Sequence, residues 1–491
     1  MSETPAMSSD LSAFDLLMHR GEANPRTRSG IMALEILDST PDWERFRTRF
    51  DNASRRALRL RQKVVVPTLP TGPARWVIDP DFNLDFHVRR VRVPEPGTLR
   101  DVLDLAEVSL QSPLDISRPL WTVTLIEGLE DGRAATMLHL SHAVTDGVGA
   151  LALFAEIYDL EPEPAPRAAP PIPVPQDLSG NDLMREGLSH LPQVLLGSVA
   201  SAVSGGLSAL GRAVRSPASA VFGALDYARS GRRMVGRAAE PSPLLRGRSL
   251  ATRTEAIEMR LGDLHRAAHA ADGSINDAYL AGLCGALRLY HEELGVPIGT
   301  LPMAVPVNLR AEADPAGGNR FAGINLAAPI GIADPRLRIQ RIRKQMIARR
   351  EEAAIDVIGA VAPLMSLLPD AVLEAMSGTV ISSDVQASNV PVYPGDTYIA
   401  GAKVLRQFGI GPLPGVGMMV VLVSRGGFAT VTARYDRAAI AHPELFARCL
   451  RRGFDEVLAL AGDPAPRVVP VSSPEQSEQS DEEQSTNGSV A

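Results

Sequence analysis

Apolar positions along the chain recur with two periods, two for strands and three to four for helices. In RAATMLHL, residues 133–140, Ala135, Met137 and Leu140 stand among small and polar neighbours, which predicts a strand. A helical repeat follows, with Val148, Leu151, Phe154, Ile157 and Tyr158 on one face. TEAIEMRL and LPMAVPVNLR predict strands, and SINDAYLAGLCGALRLYHEELG an amphipathic helix. DPRLRIQRIRKQMIARREE predicts a basic helix and HPELFARCLRRGFDEVLALAG a closing one. VVLVSRGGFATVTARYD predicts a hairpin around Gly426-Gly427. The arginine-rich stretch Trp43 to Lys63 predicts a helix with charge on all sides. Such a helix is a solvated face, or a surface for anionic lipid or a phosphorylated cofactor.

These elements group into segments. Residues 1–160 form a first α/β lobe, and 161–249 a Pro-rich linker (LEPEPAPRAAPPIPVPQD) with a helical connector. Residues 250–466 form a second α/β lobe, and 467–491 a polar, acidic tail expected to be disordered. Leu191 to Gly211 carries no charge and has the length of a membrane span. Its proline, glutamine, serines and glycines point instead to a buried or interfacial helix pair.

A length of 491 residues exceeds one ordinary core, in keeping with two lobes. With 45% hydrophobic and 22% charged residues the chain is globular. Aromatics at 4% leave Leu, Val, Ile and Ala to build the core. A net charge of -7 argues against a nucleic-acid partner. Cys284 and Cys449 give neither a disulfide framework nor a metal spacing. The N-terminus has no basic start and no long apolar stretch, so a cytoplasmic setting is expected.

The candidate chemistry sits where the strand at 133–140 runs out. His142 follows it directly, and Asp146-Gly147 closes the loop before the helix. Histidine is the commonest side chain for moving a proton near neutral pH. The same residues also make an ordinary turn with an Asp cap, and the pattern alone leaves both readings open. His265 and His269 have metal-ligand spacing in HRAAH, but Arg266 stands where a zinc hydrolase carries Glu, so solvated histidines are expected. There is no G-x-S-x-G elbow, P-loop or G-x-G-x-x-G.

Seven short strings occur in a specific order: WVIDPDFNLDFHVRR (76–90), SPLDISRPLW (112–121), HLSHAVTDG (139–147), SINDAYLAG (274–282), VPVNLR (305–310), GN (318–319) and ASNVPVYPGD (387–396). Together they resemble the bacterial wax ester synthase/acyl-CoA:diacylglycerol acyltransferase family over about residues 10–460. The resemblance implies an α/β, two-lobed fold like chloramphenicol acetyltransferase and peptide-synthetase condensation domains, with an active-site tunnel between the lobes. It implies transfer of a long-chain acyl group from acyl-CoA, the co-substrate, to diacylglycerol or a fatty alcohol, without metal or redox cofactor. In the family motif HHxxxDG the second His is the base, which falls on His142. Asp146 is then expected to hold the loop by pairing with an arginine. Ser141 replaces the first His, and Val392 stands where Gly is usual. Ser141, Gly147, Asn276 and Asp277 are the expected substrate-side residues, with helix capping as the structural reading of Asn276. Pro119, Leu120 and Trp121 are expected to shape the core or tunnel wall. Lipid substrates imply peripheral association with the inner membrane or lipid droplets, through residues 182–240 or the basic helix at 43–63.

Overall fold

The computed structural model describes residues 10–69, 71–144, 156–165, 168–189, 238–308, 321–352, 383–462 and 466–468. The described residues hold two six-stranded sheets and a small ribbon. The strands are β1 (Gly30–Leu37), β2 (Gln62–Val65), β3 (Arg75–Ile78), β4 (Val88–Arg92), β5 (Trp121–Glu127), β6 (Ala134–Ser141) and β7 (Thr252–Arg260). They continue with β8 (Leu301–Asn308), β9 (Phe321–Ala328), β10 (Val385–Pro391), β11 (Tyr398–Ile399), β12 (Ala402–Ile410), β13 (Met418–Arg425) and β14 (Phe428–Asp436). The main helices are α1 (Ala13–Gly21), α2 (Trp43–Arg56), α3 (Leu99–Gln111), α4 (Leu261–Ala270), α5 (Ile275–Glu293), α6 (Pro335–Glu352) and α7 (Pro443–Leu458).

The first sheet has the order β11-β12-β1-β6-β5-β4, and the second β7-β14-β13-β10-β8-β9. One face of the first sheet packs Trp121, Leu138 and Leu140 against Phe46 and Phe50 of α2. The other packs Leu34, Met137 and Phe408 against Val102, Ala106 and Leu110 of α3. All eight residues of β6 are buried. Its sequence alternation therefore marks a central strand covered on both faces, not one with a wet side. The hairpin around Gly426 and Gly427 forms as expected; both turn residues have positive φ, 54° and 78°.

Residues 398–410 fall in the stretch 250–466 assigned from sequence to the second lobe, yet they hydrogen-bond into the first sheet. β12 runs antiparallel to β1 from Met32↔Ile410 to Leu37↔Val404. It also faces the second sheet. Thr430 and Thr432 donate their hydroxyls to the carbonyls of Gln407 and Gly409. A Cβ on Gly409 would lie 3.0 Å from Val421, so glycine lets the backbone approach this closely. Two buried ion pairs tie the lobes further, Arg406–Glu258 and Arg434–Glu107.

Two further expectations change. The helix starting at Trp43 ends at Arg56, not Lys63. Ala57 leaves helical geometry (φ −85°, ψ 82°), and Arg61 turns back to bond Asp51 and Ser54. Four of the five arginines of α2 are ion-paired within the lobe, Arg47 by Asp85, Arg49 by Asp159, Arg55 by Asp51 and Arg56 by Glu156, while exposed Arg45 bonds the Pro162 carbonyl. This leaves α2 with less unmatched positive charge than its sequence suggests. Helix α5, expected to be amphipathic, is buried from Asp277 to Leu287, because it lies between the second sheet and α6 and α7.

Arg434 and Glu107 expose only 8% and 6% of their side chains. Replacing Glu107 by Ala strands a buried guanidinium and is expected to cost about 3–5 kcal/mol. Urea unfolding of Glu107→Ala checks this; a change under about 1 kcal/mol contradicts the role of the pair as an inter-lobe tie.

Candidate active site

β6, a central strand of the first sheet, delivers His142 just past its C-terminal end. Its last residues are held on both sides: Leu140 pairs with Trp121, and Ser141 with Gly30. The Ser141 amide donates to the Leu120 carbonyl (3.0 Å). A turn closes at once, with the Val144 amide on the Ser141 carbonyl (3.0 Å) and the Ala143 amide on Ser141 Oγ (3.3 Å). His142 thus occupies the first turn beyond the ladder. Burial lowers its pKa below 6.5, opposed by a main-chain hydrogen bond and by the charge of Asp15 on α1. A neutral imidazole at pH 7 retains a lone pair able to accept a proton. Asp146 and Gly147 lie outside the described residues.

Ser141 is fully buried and donates to Glu22 Oε1 (2.8 Å), which also accepts from Ser29 Oγ (2.9 Å). Burial pushes the Glu22 carboxyl up, against the two hydroxyls and Arg28. Glu22 Oε2 is buried without a hydrogen-bond partner among the described residues. The hydroxyl of Ser141, expected beside substrate, is therefore engaged with the segment after α1.

Asn276 and Asp277 sit in the first turn of α5, in the second lobe. Ser274 is the N-cap, and the capping partner is Asp277 rather than Asn276. The Ser274 amide donates to Asp277 Oδ2 (2.9 Å) and the Asp277 amide to Ser274 Oγ (3.2 Å). Arg343 adds an ion pair to Asp277 at 3.6 Å. Trp121 behaves as expected of a core residue. It stacks on His87 (centroids 4.7 Å apart) and donates Nε1 to the Leu60 carbonyl (2.7 Å). Leu120 and Trp121 thereby anchor the histidine turn from behind. Ser388, Asn389 and Val390 lie on β10, between β13 and β8. His265 and His269 are exposed on α4. Among the described residues no group of three or more ligand side chains is placed to hold a metal.

Sequence reasoning missed Asp15, Glu22, Ser29 and Gly30. Each is a single polar or small residue in or after α1, far in sequence from His142, and no spacing signals it. Only the register of β1 on β6 brings them to the histidine turn.

A family model for the wax ester synthase/diacylglycerol acyltransferase catalytic domain matches residues 1–279, and one for the WS/DGAT C-terminal domain matches residues 317–457. A Mycobacterium tuberculosis protein provisionally named a diacylglycerol O-acyltransferase is 72% identical over 470 residues, 96% of each chain. A wax ester synthase/diacylglycerol acyltransferase from Marinobacter aquaeolei VT8 has a similar structure, with TM-score 0.59 and 20% identity. That match covers 92% of this chain and all of the other. The first condensation domain of the calcium-dependent antibiotic synthetase aligns with TM-score 0.57 and 14% identity over 95% and 98% of the two chains. These structural matches show the two-lobed acyltransferase and condensation-domain fold.

Ser141→Ala removes one of the two hydroxyls on Glu22 Oε1. We expect a stability loss of about 1–3 kcal/mol and a fall in turnover of less than about tenfold. Chemical denaturation with steady-state kinetics checks both. A stable variant with abolished turnover would place the Ser141 hydroxyl at the chemistry instead.

Proposed function

Because this chain belongs to the wax ester synthase/diacylglycerol acyltransferase family, we propose that His142 is the general base of acyl transfer from acyl-CoA to a lipid hydroxyl. The protein is an acyltransferase, and its acceptors are diacylglycerol or a long-chain alcohol. The observation that carries the role of His142 is its placement. It is the first residue beyond a central strand, in a turn tied to β1 and β5, and burial keeps it neutral.

The chemistry follows. An alcohol is a poor nucleophile at neutral pH. His142 accepts the hydroxyl proton as the oxygen attacks the thioester carbonyl. The carbon–sulfur bond then breaks, and the imidazolium returns the proton to the departing CoA thiolate. The products are an ester and free CoA, and His142 is neutral again. The sequence of bonds calls for no covalent acyl-enzyme, metal or redox cofactor; acyl-CoA is a co-substrate. Asp146 is assigned to holding the loop.

Contact with lipid is assigned to a peripheral surface, at the inner membrane or at lipid droplets. No helix among the described residues is long and apolar enough to cross a membrane, and Leu191 to Gly211 lies outside them. The basic helix α6 offers an alternative to α2. Leu337, Arg341 and Lys344 are exposed at i, i+4 and i+7, on one face, with exposed Ile347 beside them.

His142→Gln is expected to lower turnover by about 100- to 10,000-fold with folding intact. In wild type, kcat/KM is expected to hold at neutral pH and to fall only in acid, below the ordinary histidine range, as the imidazole takes a proton, because burial depresses its pKa. Pre-steady-state and steady-state assays across pH test this; near-full activity of a folded His142→Gln would exclude the role. Separately, the double variant Arg341→Glu and Lys344→Glu is expected to lose roughly tenfold or more in affinity for anionic vesicles. Co-sedimentation with undiminished binding would remove α6 from the membrane surface.

A further inference from the structure

A groove of ≈ 470 Å³ lies along α6, walled by Gln340, Arg343, Lys344, Ile347 and Ala348 and by Asp272 just past α4. The outer side of this helix is cationic and apolar together. Arg336, Arg341, Arg343 and Lys344 are exposed, and so are Leu337 and Ile347. Two of the cations are engaged. Arg336 donates to the Ala270 carbonyl, and Arg343 pairs with Asp277 at 3.6 Å. Arg338 is buried and bonds Glu456 of α7 at 2.9 Å. Arg341 and Lys344 form no ion pair among the described residues. Unmatched positive charge is therefore concentrated beside the groove, whose one lining carboxylate is Asp272.

The chain comes back to this helix after α7. The Val468 amide donates to Asp455 Oδ1 (2.7 Å), and the next residue of α7, Glu456, is the one that holds Arg338. The chain thus leaves the described residues close to the first turn of α6. In sequence, residues 469–491 contain Glu475, Glu478, Asp481, Glu482 and Glu483 and no Lys or Arg. Apolar Val469 and Val471 precede these acids. The outer side of α6 has the matching order, with Leu337 beside Arg338 and then Arg341 and Lys344. Reach is sufficient. From Val468 to Glu475 the chain can span up to about 24 Å, whereas Lys344 lies only about 9 Å along the helix from Arg338.

We propose that the acidic stretch 475–483 docks on the outer side of α6, against Arg341 and Lys344, and there competes with anionic lipid for the same cations. The competition rests on the lipid-facing reading of α6 above; the docking does not. Opposite charge, the exit point at Asp455 and the shared order of apolar and charged positions all favour a segment of the same chain as occupant. A tethered acidic segment acts at high effective concentration, so weak contacts suffice to hold it. Ion pairs on an exposed helix face are individually small and screened by salt. The contact is therefore reversible. A bilayer rich in anionic headgroups displaces the acidic stretch, and a neutral one does not. Association then depends on lipid charge more steeply than the cations of α6 alone would make it.

The chain has three lysines, Lys63, Lys344 and Lys403, which makes the docking directly readable. Lys63 and Lys403 are already paired, with Asp79 and Asp396. A carbodiimide joins a carboxylate to a lysine amine in contact with it. In the full-length protein without lipid we expect mass spectrometry to find residues 475–483 joined to Lys344, and the product to fade in high salt. No such product, or equal products at Lys63 and Lys403, overturns the docking. Products formed only between isotopically light and heavy copies overturn its intramolecular form. The second measurement neutralises the stretch in the full chain (Glu475→Gln, Glu478→Gln, Asp481→Asn, Glu482→Gln, Glu483→Gln). We expect at least about fivefold tighter binding to phosphatidylglycerol vesicles and no change with phosphatidylcholine. In the Arg341→Glu/Lys344→Glu background the gain disappears. A gain that persists in that background, or no gain although α6 binds vesicles, overturns the competition. If residues 475–483 join Lys344 but substitution of Arg341 and Lys344 leaves vesicle binding intact, the docking stands and the lipid-facing reading of α6 fails.

Discussion

The pairing of β12 with β1 is the constraint on which the two-lobed arrangement depends. Chain from the second half forms a strand of the first sheet, so the lobes cannot part without breaking an antiparallel ladder of six residue pairs. Covalent continuity then works with packing. The same strand is approached from the other side by Thr430 and Thr432, whose hydroxyls bond its carbonyls, and by Val421 and Val423 against Gly409. Buried pairs Arg406–Glu258 and Arg434–Glu107 finish the seam. Such pairs add little net stability, since desolvation offsets their attraction, but each penalises any other registration of the lobes. The seam therefore fixes position more than it adds strength. That is what a site assembled from both lobes requires.

The site divides its electrostatics along this seam. Near β6 the groups are dry and neutral: burial lowers His142 below 6.5 and His139 to about 3. Arg434 and Arg28 push His139 in the same direction. At His142 the nearby charge, Asp15, acts in the opposite sense, so burial alone accounts for the depression of the base, whereas His139 also feels the guanidinium groups.

Much of the fold was legible in the sequence wherever one local signal decided it. The hairpin at Gly426-Gly427, the strand leading to His142, and helices α5, α6 and α7 all follow from period and turn chemistry. What was not legible depends on distant partners. The membership of β12 in the first sheet has no local mark, because a strand carries no record of which sheet it joins. The end of α2 at Arg56 is set by Arg61 folding back onto Asp51, a contact that periodicity cannot see. The arginines of α2 read as open charge because their partners Asp85, Glu156 and Asp159 lie elsewhere in the sequence. For the site, His142 was legible from its motif. Glu22 and Ser29 were not, since only the pairing of β1 with β6 brings the stretch after α1 to the histidine turn.

The departure at Ser141 acquires a physical meaning from this arrangement. Residues 139 and 141 share one side of β6, and in an extended chain residue 142 turns to the other. A change at 141 therefore acts on the anchoring of the turn before it acts on the base. In this protein the anchor is a buried carboxyl, Glu22, fed by two hydroxyls through one oxygen, with its other oxygen left unpartnered among the described residues. An imidazole at 141 is larger than a hydroxymethyl group and carries an N–H able to meet such an oxygen. The serine leaves that side smaller and Glu22 less satisfied, while the main-chain bonds that aim His142, from Ser141 to Leu120 and from Val144 to Ser141, belong to the backbone and need no particular side chain. The base is thus held by β-sheet geometry that survives the substitution, and the cost falls on Glu22.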